Sequence, residues 1–129
     1  MNDEIREAIE ETVNATVLKM KMAGLLKDDR KTATEKLEEL LRLYPTFKKI
    51  DGKPQTAKLV EALEEALHSI ERDPYFDVLT RFYFNGQTRD FIAQAYGTSV
   101  TTISRNKTRL LAELTPQVFS DEVIAEIFL

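Results

Sequence analysis

One predicted helix near the C-terminal end of the chain carries the side chains best suited to bind a ligand. Within Ser99–Leu114, the positions predicted to face outward are Thr101, Thr102, Ser104, Arg105, Thr108 and Arg109. Arginine can donate two parallel hydrogen bonds to the edge of a guanine base, and threonine and serine hydroxyls can contact bases or phosphates. Lys107 and Arg89 are predicted to contact the phosphate backbone. These residues therefore predict a surface that binds double-stranded DNA.

The charge of this segment differs from that of the rest of the chain. The 129 residues carry a formal net charge of −4, and Met1–Asp73 contains 13 basic and 16 acidic side chains. Between Thr80 and Ala112 the only acid is Asp90, against five Lys or Arg residues. Local charge decides what a surface attracts, so this segment favours phosphate. Five cations are few, and a single copy is expected to bind DNA weakly and with a strong dependence on salt.

Two helices joined by a short corner would position these side chains. Thr88 and Ser99 each precede a helical pattern and can cap its unpaired backbone N–H groups. Gly97 can adopt the left-handed conformation that ends the first of the two helices. The residues predicted to pack inward are Phe91, Ile92, Ala95, Val100, Ile103, Leu110 and Leu114. This pattern is typical of a helix-turn-helix, whose second helix lies in the major groove. Hairpins with a glycine corner and solvated arginines also occur in helical bundles, and that alternative stays open.

The whole sequence predicts an all-α protein, because apolar residues recur every three or four positions and no strand alternation is visible. The predicted helices cover about Asp3–Lys27, Thr34–Leu43, Thr56–Glu71, Tyr75–Phe84, Thr88–Tyr96 and Ser99–Leu114, with a short helix capped by Ser120. Pro45 is predicted to end the second helix, residues 45–54 to form a loop, and Pro116 to stop the sixth helix. We divide the chain into a helical N-terminal region, residues 1–73, and a three-helix helix-turn-helix region with a C-terminal helix, residues 74–129.

The apolar positions of the N-terminal region predict its inward faces. The second and third predicted helices would turn inward Leu37, Leu40, Leu41, Tyr44, Leu59, Leu63, Leu67 and Ile70. Asp73 and Pro74 are typical of a helix start, with the aspartate as cap and the proline in the first turn. The apolar residues near the two ends of the chain could close the core or form an interface between copies, and both interpretations stay open.

The other residue types argue against catalysis. The chain has no cysteine and one histidine, His68, so thiolate chemistry is excluded and no metal site is expected. The adjacent acids Asp28–Asp29 and Glu64–Glu65 point in different directions on a helix and are interpreted as solvated charge. No phosphate-binding glycine loop is present. We expect no enzyme and no cofactor. The acidic N-terminus lacks a signal-peptide core and no apolar run is long enough for a membrane span, which predicts a cytoplasmic protein without membrane contact.

Part of the chain is similar to known DNA-binding proteins. The stretch LTRFYFNGQTRDFIAQAYGTSVTTISRNKTRLLAEL, residues 79–114, resembles the helix-turn-helix of sigma-factor region four. The chain as a whole resembles the ArpU/RinA group of phage-encoded transcriptional regulators, with a looser match in LEELLRLYPTFKKI, residues 37–50. It departs from the pattern at Asn106 and Lys107, where such motifs often carry an aliphatic residue. It also lacks the promoter-melting segments of a complete sigma factor.

The resemblance implies a sequence-specific regulator of late, packaging or lysis genes of a phage or prophage. Its N-terminal helices would serve oligomerisation or contact with RNA polymerase, and a homodimer would place two recognition helices about one helical turn apart. Two other classes stay open. One is a small terminase-like subunit that recognises DNA during assembly, and the other is an adaptor that binds RNA polymerase through the same surface.

Overall fold

The computed structural model describes residues 3–6, 24–25, 27, 30–49, 54–121 and 123. These residues form helices and no strand, which confirms the predicted all-α class. In the described part of the chain, the helical elements with defined bounds are, in order, α1 Ala33–Lys49, α2 Pro54–Ile70, α3 Phe76–Leu79, a π-helical turn Thr80–Phe84, α4 Arg89–Tyr96 and α5 Val100–Val118. None of the helices in this part of the chain is long and apolar enough to cross a membrane.

A capping box starts α1. The Thr32 hydroxyl accepts a hydrogen bond from the Glu35 backbone N–H at 3.1 Å, and the Glu35 carboxylate accepts one from the Thr32 N–H at 3.4 Å. This reciprocal pair satisfies two backbone donors that the first helical turn leaves unpaired. The buried positions of α1 are those predicted from the sequence, namely Leu37, Leu40, Leu41 and Tyr44.

The prediction that Pro45 ends this helix is wrong, because α1 continues to Lys49 and residues 45–49 are helical rather than a loop. A proline in a helix interior removes one backbone hydrogen bond and costs about 3 kcal/mol or more. Tyr44, directly before it, is buried, and its ring centroid lies 5.2 Å from that of Phe84. Packing of this apolar face outweighs the local preference. Residues 50–53, the rest of the predicted loop, lie outside the described residues.

The next helix, α2, begins at Pro54, two residues before its predicted start. Proline suits the first position of a helix, where the missing N–H would have no partner. The predicted inward face of Leu59, Leu63, Leu67 and Ile70 is buried, together with Ala66. The glutamates on its other side, Glu61, Glu64 and Glu65, are exposed.

Asp73 opens the second half of the described chain. Its side chain accepts a hydrogen bond from the Tyr75 N–H at 2.9 Å, and its carbonyl accepts one from the Phe76 N–H at 3.0 Å. The predicted helix over Tyr75–Phe84 begins one residue later, at Phe76, as α3 followed by the π-helical turn, and its cap residue is Tyr75 rather than the predicted Asp73. That turn ends with a hydrogen bond from the Asn85 N–H to the Thr80 carbonyl, five residues earlier.

The larger of two apolar clusters among the described residues extends across the two predicted regions. Its buried residues include Leu37, Leu40, Leu41, Leu59, Leu63, Leu79, Tyr83, Leu110, Leu111, Leu114 and Val118. Side chains from both sides of Asp73 therefore pack together, and α5 lies against α1 and α2 as well as against α4. The N-terminal helices form part of the support of α5.

The prediction that Pro116 stops α5 is also wrong, since the helix continues to Val118. Leu114 and Val118 lie on either side of the proline and are both fully buried. Their burial holds the last turn in place despite the lost backbone donor. Helix-interior prolines in α1 and α5 thus share one explanation, which is the burial of apolar residues near each proline in the helix.

The predicted terminal helices lie mostly outside the described residues. Residues 3–6, 24–25 and 27 are helical, in agreement with the predicted helix Asp3–Lys27, and Leu25 is buried in the core. Near the other end, the Ser120 hydroxyl accepts a hydrogen bond from the Val123 N–H at 3.3 Å, as expected for a cap.

Candidate nucleic-acid interface

The corner between α4 and α5 has the caps that the sequence predicts. Thr88, in extended conformation, accepts a hydrogen bond from the Phe91 N–H at 3.2 Å. Gly97 ends α4 in the left-handed conformation, with φ 65° and ψ 37°. Ser99 then starts α5 by accepting a hydrogen bond from the Thr102 N–H at 3.1 Å. The short path from Gly97 to Ser99 fixes where α5 begins relative to α4.

A small apolar cluster holds α4 against α5. Its buried residues are Val78, Ile92, Ala93 and Ile103. Two of the predicted inward positions are wrong: Phe91 is 55% exposed and Ala95 is exposed. The inward side of α4 passes through Ile92, Ala93 and the half-buried Tyr96 instead. The small residue at the helix crossing is therefore Ala93.

Five of the eight predicted DNA-binding residues lie together on one surface, which we call the polar patch. It consists of Arg89, Thr101, Ser104, Arg105 and Thr108, which line an open depression together with Val100. Arg89 reaches from α4 to α5, where its Nη1 donates to the Ser104 hydroxyl at 3.3 Å. The patch contains no carboxylate. Thr102 lies beside it, with its hydroxyl 3.0 Å from that of the cap residue Ser99.

Arg105 is the cation of the polar patch whose guanidinium is available to bind a ligand. It is exposed, and within the described residues no ion pair or hydrogen bond occupies its guanidinium. Thr101 precedes it by one helical turn and Thr108 follows it by nearly one, so the three side chains share one side of α5. The Thr108 hydroxyl donates to the Ser104 carbonyl at 3.0 Å, so its proton is engaged while its oxygen and methyl group can still meet a ligand.

Lys107 lies on nearly the opposite side of the helix from Arg105, about 160° away around the axis. Its side chain is 15% exposed, and its Nζ lies 4.5 Å from the Phe82 ring centroid and 3.9 Å from the Glu38 carboxylate. Burial lowers the pKa of Lys107, and the charge of Glu38 opposes that shift. The structure places this lysine partly buried between α5 and α1.

Glu38 also binds the neighbouring tyrosine. Its carboxylate accepts a hydrogen bond of 2.8 Å from the Tyr83 hydroxyl. Burial, followed by the Glu38 hydrogen bond, raises the pKa of Tyr83. One carboxylate of α1 therefore connects the π-helical turn to α5 through Tyr83 and Lys107.

Arg109 stands one turn after Arg105 but is bound to another part of the chain. Its Nη1 and Nη2 donate to the two carboxylate oxygens of Asp73 at 2.9 and 3.0 Å, and Nη1 also meets Glu113 at 3.4 Å. The Asp73 pKa is held below its ordinary value, chiefly by the Arg109 hydrogen bonds and next by the Tyr75 N–H. Arg109 thus fastens α5 to the turn before α3.

Asn106 joins the same group of contacts. Its amide nitrogen donates to the Thr102 carbonyl at 2.9 Å, and its Oδ1 accepts from the Arg109 Nε at 3.3 Å. The sequence pattern departs from related motifs at Asn106 and Lys107, and both side chains are engaged by protein groups. Sequence reasoning missed the roles of Glu38 and Asp73, because no local pattern connects them to residues of α5.

Groups suited to metal binding or catalysis are sparse among the described residues. His68 is exposed, with Nδ1 3.0 Å from the Glu71 carboxylate. In the described part of the chain, no group of three histidine, cysteine or acidic residues is arranged to hold a metal ion.

Comparison of the chain with protein-family models, with curated proteins and with solved structures gives no match in any of the three.

Proposed function

We propose that this protein is a sequence-specific DNA-binding transcriptional regulator that inserts α5 into the major groove. The observation that carries the proposal is the polar patch, where an unpaired Arg105 and two threonines occupy one side of α5. Serine and threonine caps, Gly97 and the buried cluster that contains Ile92 and Ile103 support the interpretation of this helix pair as a helix-turn-helix. An acid-free surface of this kind favours the approach of phosphate.

The residues take different parts in this proposal. Arg105, Thr101 and Thr108 face the base edges, whereas Arg89 and Ser104 are placed to contact the DNA backbone. Arg109 and Lys107 are not proposed as DNA contacts. Asp73 binds Arg109, and Lys107 lies against Phe82 and Glu38. Arg89 is then the one cation of the polar patch that contacts phosphate, so the logarithm of the binding constant of one copy should fall with the logarithm of salt concentration with a slope of about −1.

The proposed role as a phage or prophage late-gene regulator rests on the resemblance of residues 79–114 to sigma-factor region four and of the chain to the ArpU/RinA group. A homodimer would double the contact area and pair two copies of α5 on neighbouring half-sites. Sedimentation of the native protein with and without DNA tests this part, since a ring-sized oligomer would favour a terminase-like assembly subunit instead.

The experiment that tests DNA binding is selection of bound fragments from the source genome, followed by titration of one selected duplex. Arg105→Ala should weaken binding by roughly 1–3 kcal/mol and relax base preference. The matched control is Arg72→Ala, because Arg72 is also exposed but lies outside the polar patch. Equal binding by both variants would exclude the α5 assignment. If the native protein shows no salt-sensitive DNA binding, the RNA-polymerase adaptor becomes the better function.

A further inference from the structure

We propose that each bound copy reads a single guanine through a bidentate contact, with thymine methyl groups beside it, and reads no adenine through a side-chain amide. This inference rests on the proposed DNA-binding function and states which base edges the surface can recognise. It follows from the partners of every charged or amide side chain on α5.

The cations of α5 reduce to one available guanidinium. Lys107 is half-buried against Phe82, and Arg109 is bound through both terminal nitrogens to Asp73. Arg105 alone presents an unoccupied fork of donors. In the major groove, the partner that accepts two parallel hydrogen bonds from arginine is guanine, through O6 and N7.

Both amide side chains of α5 are occupied. Asn106 donates to the Thr102 carbonyl and accepts from Arg109. Gln117 donates to the Glu113 carbonyl at 3.1 Å, and its oxygen accepts from the Ser69 hydroxyl at 3.2 Å. Bidentate recognition of adenine requires a free asparagine or glutamine, and this helix offers none.

The remaining acid and hydroxyl groups complete this set of contacts. Glu113 is the one acid of α5, and Arg109 binds it, so no carboxylate is available to accept from the cytosine amino group. Thr101 and Thr108 flank Arg105 on the same side of the helix, and the hydroxyl of Thr108 is engaged with the backbone. Their methyl groups suit the C5-methyl of thymine. The readable site is therefore a guanine flanked by thymine.

The test uses native full-length protein and a duplex enriched by it from a random-sequence pool. Each guanine of that duplex is replaced in turn by 7-deazaguanine, which removes the N7 acceptor, and each thymine by deoxyuridine, which removes the methyl group. One guanine per bound copy should show a loss of affinity of roughly 5- to 150-fold. Thymines beside it should show a smaller loss, of roughly two- to fourfold.

Two variants connect these losses to the protein. Arg105→Met removes the donors, so the affinity that remains should no longer respond to 7-deazaguanine. Arg72→Met is the control and should retain the response. Tight binding with two or more sensitive guanines per copy, or with sensitivity to 7-deazaadenine, overturns this inference while DNA binding stands. Absence of binding to any duplex by the native protein overturns the proposed function itself.

Discussion

Arg105 and Arg109 lie four residues apart on the same helix, about 40° apart around its axis, and have different surroundings. Arg105 is exposed on the polar patch with its donors unoccupied in the described structure, whereas Arg109 is bound by both carboxylate oxygens of Asp73. The local sequence around them is similar, since each follows a hydroxyl residue, Ser104 or Thr108, on the outward side of α5. Asp73 lies 36 positions before Arg109 in the sequence but contacts it in space, and this contact leaves Arg105 as the available arginine.

The same difference separates the two sides of α5 more generally. The side that faces the molecule contains Ile103, Leu110 and Leu114, all fully buried, and the half-buried Lys107. The other side holds the polar patch. Substitutions on the first side should change folding, and substitutions on the second should change binding.

The largest expected effect is on the buried side. Leu110→Ala should lower the free energy of unfolding by roughly 2–5 kcal/mol, because it leaves a cavity where α5 meets α1 and α2. Urea denaturation followed by circular dichroism measures this loss. Thr108→Ala, two residues away and exposed, is the control and should stay within about 0.5 kcal/mol of the native protein. Similar losses for both variants would contradict the orientation of α5.

A smaller effect is expected at Asp73. Asp73→Asn should cost at most about 1 kcal/mol at neutral pH, because the Arg109 pair is partly exposed, with side-chain exposures of 41% and 21%. The folded-state pKa of Asp73 is lowered, so its contribution is present above the ordinary value of 3.8 and is lost as the pH falls below it. Unfolding measured between pH 7 and pH 3 should therefore show the two proteins converging only at the acidic end. A gap that persists unchanged at pH 3 would contradict the role of the ionised pair.

At Lys107 we expect no measurable change in DNA binding. Lys107→Met keeps an unbranched side chain against Phe82 and removes an ammonium group whose pKa is already lowered by burial. The free energy of unfolding should therefore change by less than about 1.5 kcal/mol. DNA affinity should remain within about twofold of the native value, because this side chain lies away from the polar patch. Arg105→Met is the matched variant on the polar patch and should weaken the same titration. If Lys107→Met lost as much DNA affinity as Arg105→Met, Lys107 would have to contact DNA, which would contradict its placement away from the polar patch.

Local features of the fold could be predicted from sequence where a short-range physical rule controls them. Thr88, Gly97 and Ser99 act within a few residues of their own position, and their predicted roles as caps are confirmed. The buried leucines of α1 and α2 follow from helical periodicity and are also confirmed. In these cases the sequence contains both the residue and its partner.

Other features depend on contacts distant in the sequence. Pro45 and Pro116 lie inside helices because burial of Tyr44, Leu114 and Val118 outweighs a lost hydrogen bond. The predicted inward side of α4 is wrong: Ala95 is predicted to be buried, and Ala93 is buried instead. A helix of eight residues contains too few apolar positions to define its periodicity well. The binding of Arg109 by Asp73 and of Lys107 by Glu38 could not be predicted from any local pattern.

The most direct measurement compares Arg105→Ala with Arg109→Ala in titrations of one selected duplex at fixed salt. Arg105→Ala should lose roughly 5- to 150-fold in affinity, because it removes the available guanidinium from the polar patch. Arg109→Ala should bind within about threefold of the native protein, since Asp73 already occupies that side chain. Circular dichroism at the titration temperature confirms that both variants are folded. If Arg109→Ala loses affinity and Arg105→Ala does not, α5 contacts DNA through a different side and the polar patch is not the recognition surface.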